Sequence, residues 1–389
     1  MRSKCRVPRP QMATLLLAAA MLLSACAPAA PEPAKPAETK PAAPAAPAQP
    51  AASPAAAPAA SPAAAAGAAP AKPAAQEDLA ALYEAAKKDG EFTIYTTLNT
   101  QFGKPLTDKF MAKYPGVKVN YVRQSSEKLS QVMQEEAKAG KMPWDVVEGN
   151  ADDFYIYVQQ KYVQPYTPSS AATMPANLKD PAGMWLVDRM NPMTLAINTN
   201  QVKPADAPKT WQDMTDPKWK GRFAVEEGNI LLFTGMKETW GAEKTVQFWR
   251  QIAANQPQLR QGNTLISELL AAGEFAASMG VYANAAYKLE TDGAPVKVIP
   301  ADPVFIQLQL LALGAQSTKV NAAKLFMNWL AGDEGQNTYA EIGVYPSRPE
   351  VFPKAAKWLG NTPTYFIRPE IAPRVEADRT EFRQIMGLK

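Results

Sequence analysis

Gly90-Glu91-Phe92-Thr93-Ile94-Tyr95-Thr96 opens the stretch that decides the architecture. Phe92 to Thr96 is short, rich in β-formers and follows a glycine, so it reads as a strand. Two similar runs follow: Val117-Lys118-Val119-Asn120-Tyr121-Val122, with period-two alternation, and the short apolar Trp144-Asp145-Val146-Val147. Between the first two, Phe102, Leu106, Phe110 and Tyr114 recur every four residues, an amphipathic helix that stops before Pro115. Between the second and third, Leu129, Val132 and Met133 mark a buried helix face, with Ser125 or Ser126 as cap, Glu127 in the first turn and Gly140 beyond the end. Asp152 or Asp153 opens one more helix. Gly90 to Tyr162 therefore alternates strand and helix, the pattern of a parallel sheet covered by helices, and the fold class is α/β.

In such sheets ligands bind beyond the carboxyl ends of the strands. Those ends are 96–100, 123–126 and 148–152, and each feeds a helix start. Unpaired N–H groups and the positive dipole end gather there, a setting for an anion or an oxygen-rich ligand. Thr97 and Asn99 either donate to a ligand or cap the first helix. Arg123 either clamps a carboxylate or phosphonate through paired N–H groups or forms a surface ion pair. Ser125 and Ser126 face the choice between ligand and cap, and Gly149-Asn150 between a close backbone approach and a plain turn.

Outward toward the N-terminus, Asp78 precedes a helical pattern of Leu79, Leu82, Ala85 and Ala86 that ends at Gly90. Outward toward the C-terminus, Pro165 to Pro181 is polar and proline-rich, and Trp185 to Asn198 reads as an extended crossing segment. Phe223-Ala224-Val225 begins a second α/β pattern. Helices are expected through Trp240, from Glu243 to Ala254, from Leu265 to Ala272 and from Asn284 to Thr291; strands at 275–281 and 296–299. Glu227, Gly228 and Asn229 stand at the strand end that matches the first-lobe sites. Tyr282 and Tyr287 are expected as cleft walls, since tyrosine offers a flat face and one polar tip. Leu308 to Leu313 returns to the first lobe, Asn321 caps a helix over 322–330, Asp333 with Gln336 forms a capping box, and 370–387 is a charged amphipathic helix. Two lobes joined by more than one crossing enclose a cleft with a hinge.

The N-terminal segment is of another kind. Arg2, Lys4, Arg6 and Arg9 precede an apolar run from Met12 to Leu23, too short to span a bilayer, and Leu23-Ser24-Ala25-Cys26 follows. This resembles the bacterial lipoprotein signal, which implies cleavage after Ala25 and lipid on Cys26; an ordinary signal peptide with a chance cysteine is the alternative. Residues 27–76 are almost wholly Ala and Pro and cannot bury enough surface to fold. Extended as polyproline II they would reach up to roughly 150 Å. The expected organisation is a signal over 1–25, a lipidated Cys26 and linker over 26–76, a first lobe over 77–195, a second over 196–300, and a return to the first with C-terminal helices over 301–389.

Charge and composition exclude several classes of function. The chain has 41 Lys+Arg against 37 Asp+Glu, and without the four basic residues of the signal the two balance at 37 each. A neutral chain has no electrostatic footprint for nucleic acid. Its two cysteines, Cys5 and Cys26, lie in or at the end of the signal, and it contains no histidine. Disulfides, His-dependent triads and His- or Cys-ligated zinc are therefore excluded from the folded part. One enzyme-like pattern remains, the S-x-x-K of Ser125 to Lys128 with Tyr282-Ala283-Asn284, but no K-T-G accompanies it, and the expectation is no catalysis.

Several segments carry a family resemblance: Lys113-Tyr114-Pro115-Gly116-Val117, Glu136-Ala137-Lys138-Ala139-Gly140-Lys141, Ala207-Pro208-Lys209-Thr210-Trp211, Asp216-Pro217-Lys218-Trp219-Lys220-Gly221 and Asn321-Ala322-Ala323-Lys324-Leu325-Phe326. In this order and spacing they resemble type II periplasmic solute-binding proteins of ABC importers, in the branch that includes ferric-iron binders. The resemblance implies a two-lobe type II periplasmic-binding-protein fold and capture of a small solute by lobe closure. It further implies delivery to ABC permease subunits from a lipid-anchored position outside the cytoplasm, by a monomer without a cofactor. A sensory partner of a membrane receptor is the alternative. Ferric binders of this branch resemble one another in a histidine and an adjacent tyrosine pair; here the pair position reads Ala285-Ala286, leaving Tyr282 and Tyr287 as the oxygens for Fe(III) carried as a transported ligand. The favoured ligand is a small anionic or polyoxygenated organic solute.

Overall fold

Asp78 starts the folded chain, accepting from the N–H groups of Ala80 and Ala81 at 3.0 and 3.1 Å and so capping α1 (Leu79–Asp89). The computed structural model describes residues 77–388; Cys26, the signal and the linker expectations lie outside them. Gly90, at a positive φ of 75°, turns the chain into β1 (Glu91–Thr96). Then come α2 (Thr100–Lys113), β2 (Lys118–Arg123), α3 (Ser126–Lys138), β3 (Val146–Asn150) and α4 (Ala151–Gln159). β1 pairs in parallel with β2 from Glu91↔Lys118 to Thr96↔Arg123, and with β3 at Ile94↔Val146. The third strand begins two residues later than its apolar run suggests. Trp144 fills the core, while the Asp145 carboxylate accepts from Thr93 N–H at 2.8 Å and the Ser317 hydroxyl at 2.7 Å. Asn150, rather than Asp152 or Asp153, precedes α4.

β4 (Val163–Gln164) and short 3₁₀ turns lead into β5 (Leu186–Asn198), whose 13 residues are all buried. The second half follows as β6 (Phe223–Glu226), α5 (Ile230–Trp240), α6 (Ala242–Ala254), β7 (Gln258–Arg260), α7 (Asn263–Ala272), β8 (Ala277–Tyr282), α8 (Ala283–Thr291) and β9 (Val296–Ile299). β10 (Val304–Gly314) returns antiparallel to β5, from Phe305↔Met193 to Leu311↔Leu186. The chain closes with α9 (Val320–Ala331), α10 (Asp333–Glu341), β11 (Tyr345–Pro346), α11 (Phe352–Ala355), β12 (Thr364–Ile367) and α12 (Ala372–Met386).

The main strand order is β2-β1-β3-β10-β5-β8-β6-β7. β5 and β10 lie at its centre and run from one half into the other: β10 pairs β3 through Gln309↔Asn150 to Leu313↔Val146, and β5 pairs β8 through Met193↔Tyr282 to Ile197↔Ala277. Each half is thus a small sheet, and the two shared strands are the crossings.

One apolar cluster surrounds the first half, with Phe92, Phe110, Phe326 and Trp329 at its centre, and continues to α7 and α8. The second packs α5, α6 and α12 through Phe233, Trp249 and Phe382, with Trp249 and Phe382 rings 5.0 Å apart. Fully burying one such side chain contributes roughly 1.5–3 kcal/mol. The segment 301–389, taken together in the sequence reading, therefore divides: α9 and α10 pack on the first half, and α12 mainly on the second, with a further contact to α4 of the first.

Two expected caps are made differently. Asn321 does not cap α9; Asp89, at the end of α1, accepts from the Asn321 and Ala322 N–H groups at 2.8 and 3.0 Å. Asp333 and Gln336 form no capping box, because Gln336 is buried. Its Nε2 donates to Asp188 O and Leu330 O, and its Oε1 accepts from Ser347 and Arg348 N–H. Glu77 Oε2 accepts from the Tyr166 hydroxyl and Asn328 Nδ2, each at 2.7 Å.

Candidate ligand-binding cleft

β1, β2 and β3 of the first half and β6 of the second end against a cavity of about 690 Å³. Its first wall carries Thr97, Asn99, Arg123, Ser125, Ser126 and Asn150; its second carries Glu227, Gly228 and Tyr282. These nine expected positions are brought together. Three others are not. Gly149 is paired within the sheet to Leu310 and covered by the Phe154 ring. Asn229 is buried under β8, where Gly280, at φ +77°, makes room; a Cβ there would stand 2.3 Å from Asn229 Nδ2. Tyr287 lines a separate hollow of about 270 Å³ with Tyr345 and Gly343. Tyr282 ends β8 and lines the cleft while Tyr287 sits in α8 and lines the second hollow, so the two tyrosines do not face one point.

The cleft floor comes from the crossing strands. Arg189 and Asn191 on β5 face Gln309 and Gln307 on β10, and Gln309 faces Asn150 on β3. The register shifts between Gln309 and Leu310, an irregularity of the kind that re-aims side chains beside sites. Arg189 is buried and pairs with Glu148 Oε1 at 2.7 Å. Its Nη2 donates to Thr97 Oγ1 (3.1 Å) and Gln309 Oε1 (3.3 Å), and its Nη1 to Asn191 Oδ1 (3.1 Å). Its Nε has no partner among the described residues. Gln309 Nε2 in turn donates to Asn150 Oδ1 at 2.9 Å.

Glu148 changes the reading of the first helix start. Its Oε2 accepts from Thr97 N–H (3.0 Å), Leu98 N–H (3.3 Å) and the Thr96 hydroxyl. An internal carboxylate thus occupies the N–H groups expected to hold a ligand anion. Asn99 caps α2 through Gln101 N–H at 3.1 Å. At the third start, Asn150 Nδ2 donates to Ser126 Oγ (2.9 Å), whose own hydroxyl goes to Asp153. The middle start is open: the Ser125 side chain makes no capping bond, and among the described residues Arg123 has no carboxylate partner; Asn150 makes no capping bond at the third start either. Ser125 is not hydrogen-bonded to Lys128 there either, as an acyl-transfer pair would require.

Burial governs the titrating groups. Asp188, behind the floor, is pushed up to about 7 by burial and by the Glu148 charge, against the pull of Arg189. Its Oδ2 accepts from the Tyr339 hydroxyl at 2.6 Å, and its Oδ1 has no partner. Glu226 is raised by burial and by Glu227 and Glu127, against N–H groups of Gly262 and Gly228. Burial also drives the Tyr282 phenol well up; its hydroxyl donates to Gln307 Oε1 at 2.5 Å.

Sequence reasoning missed Arg189, Asn191, Gln307 and Gln309. The signal was present: in both crossing strands polar residues recur at alternate positions inside apolar runs, which puts them on one face. It also missed β7, and with it Gln261, Gly262 and Asn263 on the second wall.

The chain is 25% identical over 225 residues to a probable ABC transporter periplasmic-binding protein, y4fP, of Sinorhizobium fredii, covering 54% of this chain and 62% of that one. It is 23% identical over 268 residues to the Fe(3+)-binding periplasmic protein of Serratia marcescens, covering 65% and 77%. Among solved structures, the periplasmic binding protein AfuA of Actinobacillus pleuropneumoniae, with exogenous fructose-6-phosphate bound, superposes with a TM-score of 0.65 at 16% identity, over 77% of this chain and 99% of that one. The fold is that of the type II periplasmic binding proteins. Residues 105–365, more than half of the chain, match the family model of these proteins, and the chain belongs to the bacterial extracellular solute-binding proteins.

Proposed function

We propose that this solute-binding protein captures a small anionic or polyoxygenated organic solute in the cleft, closes its two halves over it, and delivers it to the permease of an ABC importer. The observation that carries the ligand class is the β2–α3 turn, where Arg123 and Ser125, neither with a side-chain partner among the described residues, line the cavity beside the first N–H groups of α3. The buried floor row Asn150–Gln309–Arg189 supplies further polar contacts. AfuA, of the same fold, holds a sugar phosphate, and y4fP is named for ABC transport, which supports both parts of the reading. Lipid on Cys26 holds the protein at the outer face of the cell membrane, and replacing Cys26 with Ala should release it into the soluble fraction.

The name of the Serratia relative favours ferric iron with an anion as a second reading. The residues oppose it: the chain has no histidine, Tyr287 stands outside the cleft, and the Tyr282 hydroxyl is engaged by Gln307. Thermal unfolding of the full chain against phosphonates, sugar phosphates, carboxylates and ferric iron with citrate separates the two. A ligand at about a thousand times its Kd adds roughly 4 kcal/mol, several degrees of midpoint. A shift with organic anions alone upholds the proposal. A shift with iron, accompanied by a tyrosinate-to-iron charge-transfer band, replaces it.

A further inference from the structure

Both walls carry both signs, and they differ in the charges left without an ion-pair partner among the described residues: Glu127, beside Arg123 on the first wall, pairs with Arg379. On the first, Arg123 has no carboxylate within ion-pair distance among the described residues and stands beside the open start of α3. On the second, Glu226 and Glu227 stand at the carboxyl end of β6. Neither has a cationic partner among the described residues. The nearby guanidiniums are directed elsewhere: Arg379 to Glu127 (3.4 Å) and Glu376 (3.1 Å), Arg260 to Glu274 (2.6 Å). Arg383 reaches the cavity from α12 without pairing with either glutamate. Glu226 is held by backbone alone: Oε2 accepts from Gly228 N–H at 2.7 Å and Oε1 from Gly262 N–H at 3.3 Å. Each oxygen keeps further acceptor capacity. A carboxylate partly removed from water without a cation is costly, and a ligand ammonium would offset that cost.

A second observation on the same wall is independent of the acids. Asn284, in the first turn of α8, has Oδ1 buried without a donor. Buried acceptors are rarely left unpaired, and rotation of this amide, which also borders the neighbouring hollow, would present the oxygen to a ligand N–H.

We infer that the solute is a small zwitterion, its anionic group on Arg123, Ser125 and the α3 start and its ammonium on Glu226, Glu227 and Asn284. The inference rests on the anion-binding reading above and adds the second charge. A dianion would meet carboxylates on the second wall, and a bare cation would meet Arg123 and the dipole of α3 on the first. Closure of the cleft brings the two subsites onto one molecule, so each half recognises the end that the other repels.

Calorimetric titration of the full chain with matched probes tests this: β-alanine beside propionate, aminoethylphosphonate beside ethylphosphonate, then succinate and ethylamine. Each zwitterion is expected to bind about tenfold or more tightly than its amine-free partner, the size of one charge-assisted contact. That ratio should narrow in Glu226→Gln and Glu227→Gln. Asn284→Leu provides a second variant if the glutamate changes impair folding, and should narrow it too. Equal binding within the pairs, a preference for succinate, or a ratio insensitive to all three variants overturns the inference and leaves the anion-binding reading standing. Binding of ethylamine alone, or of none of these probes, overturns both.

Discussion

Arg123 ends β2 at the rim of the cavity and, among the described residues, touches no carboxylate. Its loss should therefore fall on the ligand rather than on the fold. Arg123→Ala is expected to weaken binding of the stabilising anion by about ten- to a hundredfold, while unfolding free energy stays within about 0.5 kcal/mol of the parent. Titration calorimetry and a urea transition check the two halves of that statement. Asp188 makes the opposite case, a buried carboxyl raised from the ordinary 3.8 to about 7. Through that window the folded chain keeps a proton that the unfolded chain gives up, so this group's contribution to stability falls as pH rises. Asp188→Asn keeps an acceptor for the Tyr339 hydroxyl without the charge. It should match the parent below about pH 4, where the unfolded carboxyl also holds its proton, and exceed it increasingly up to about pH 7, read from urea midpoints. Site residues on loops after strands were legible in the sequence, because strand ends and helix starts are local signals. Asn99 takes the capping role its local sequence offered, whereas the role of Thr97 was not legible, because its partner Glu148 lies some fifty residues away and no local pattern reports that.

At the scale of elements, periodicity located most helices and strands, and errors arose where long-range partners replaced local ones. The α9 cap is the clearest instance. Asn321 is a plausible local cap, yet the N–H groups at this start bond to Asp89, which arrives on α1 from the far end of the chain. Asp89→Ala is expected to cost about 1–2 kcal/mol, and Asn321→Ala a few tenths, by denaturant unfolding. Gln336 follows the same logic: three residues after Asp333 it fits a capping box, but the core claims its amide. The three residues of β7 are too few to show an alternation, and become a strand only because β6 offers them an edge. The crossing strands were found as apolar runs, while their polar rows went unread until register put Arg189, Gln309 and Asn150 side by side.

For the whole molecule, two α/β halves, their order and the return of the chain were legible because alternation of strand and helix persists over long stretches. Assignment of the tail was not: α12 is amphipathic wherever it packs, and only Phe233, Trp249 and their neighbours determine that it covers the second half. With β5 and β10 as the shared strands, ligand binding should make the folded part more compact. Small-angle scattering is expected to show a lower radius of gyration with a stabilising anion than without it; an unchanged radius would argue against closure.

The attachment of Glu77 has a mechanical consequence. The residue is held by Tyr166 and by Asn328 of α9, both in the first half. A force applied to the chain at this point enters α9 and the packed helices around it, and the two strands that must bend for closure lie off that load path. Held at residue 77, the first half would be the fixed jaw and the second the moving one, and tension there would bear little on the opening or shutting of the cleft.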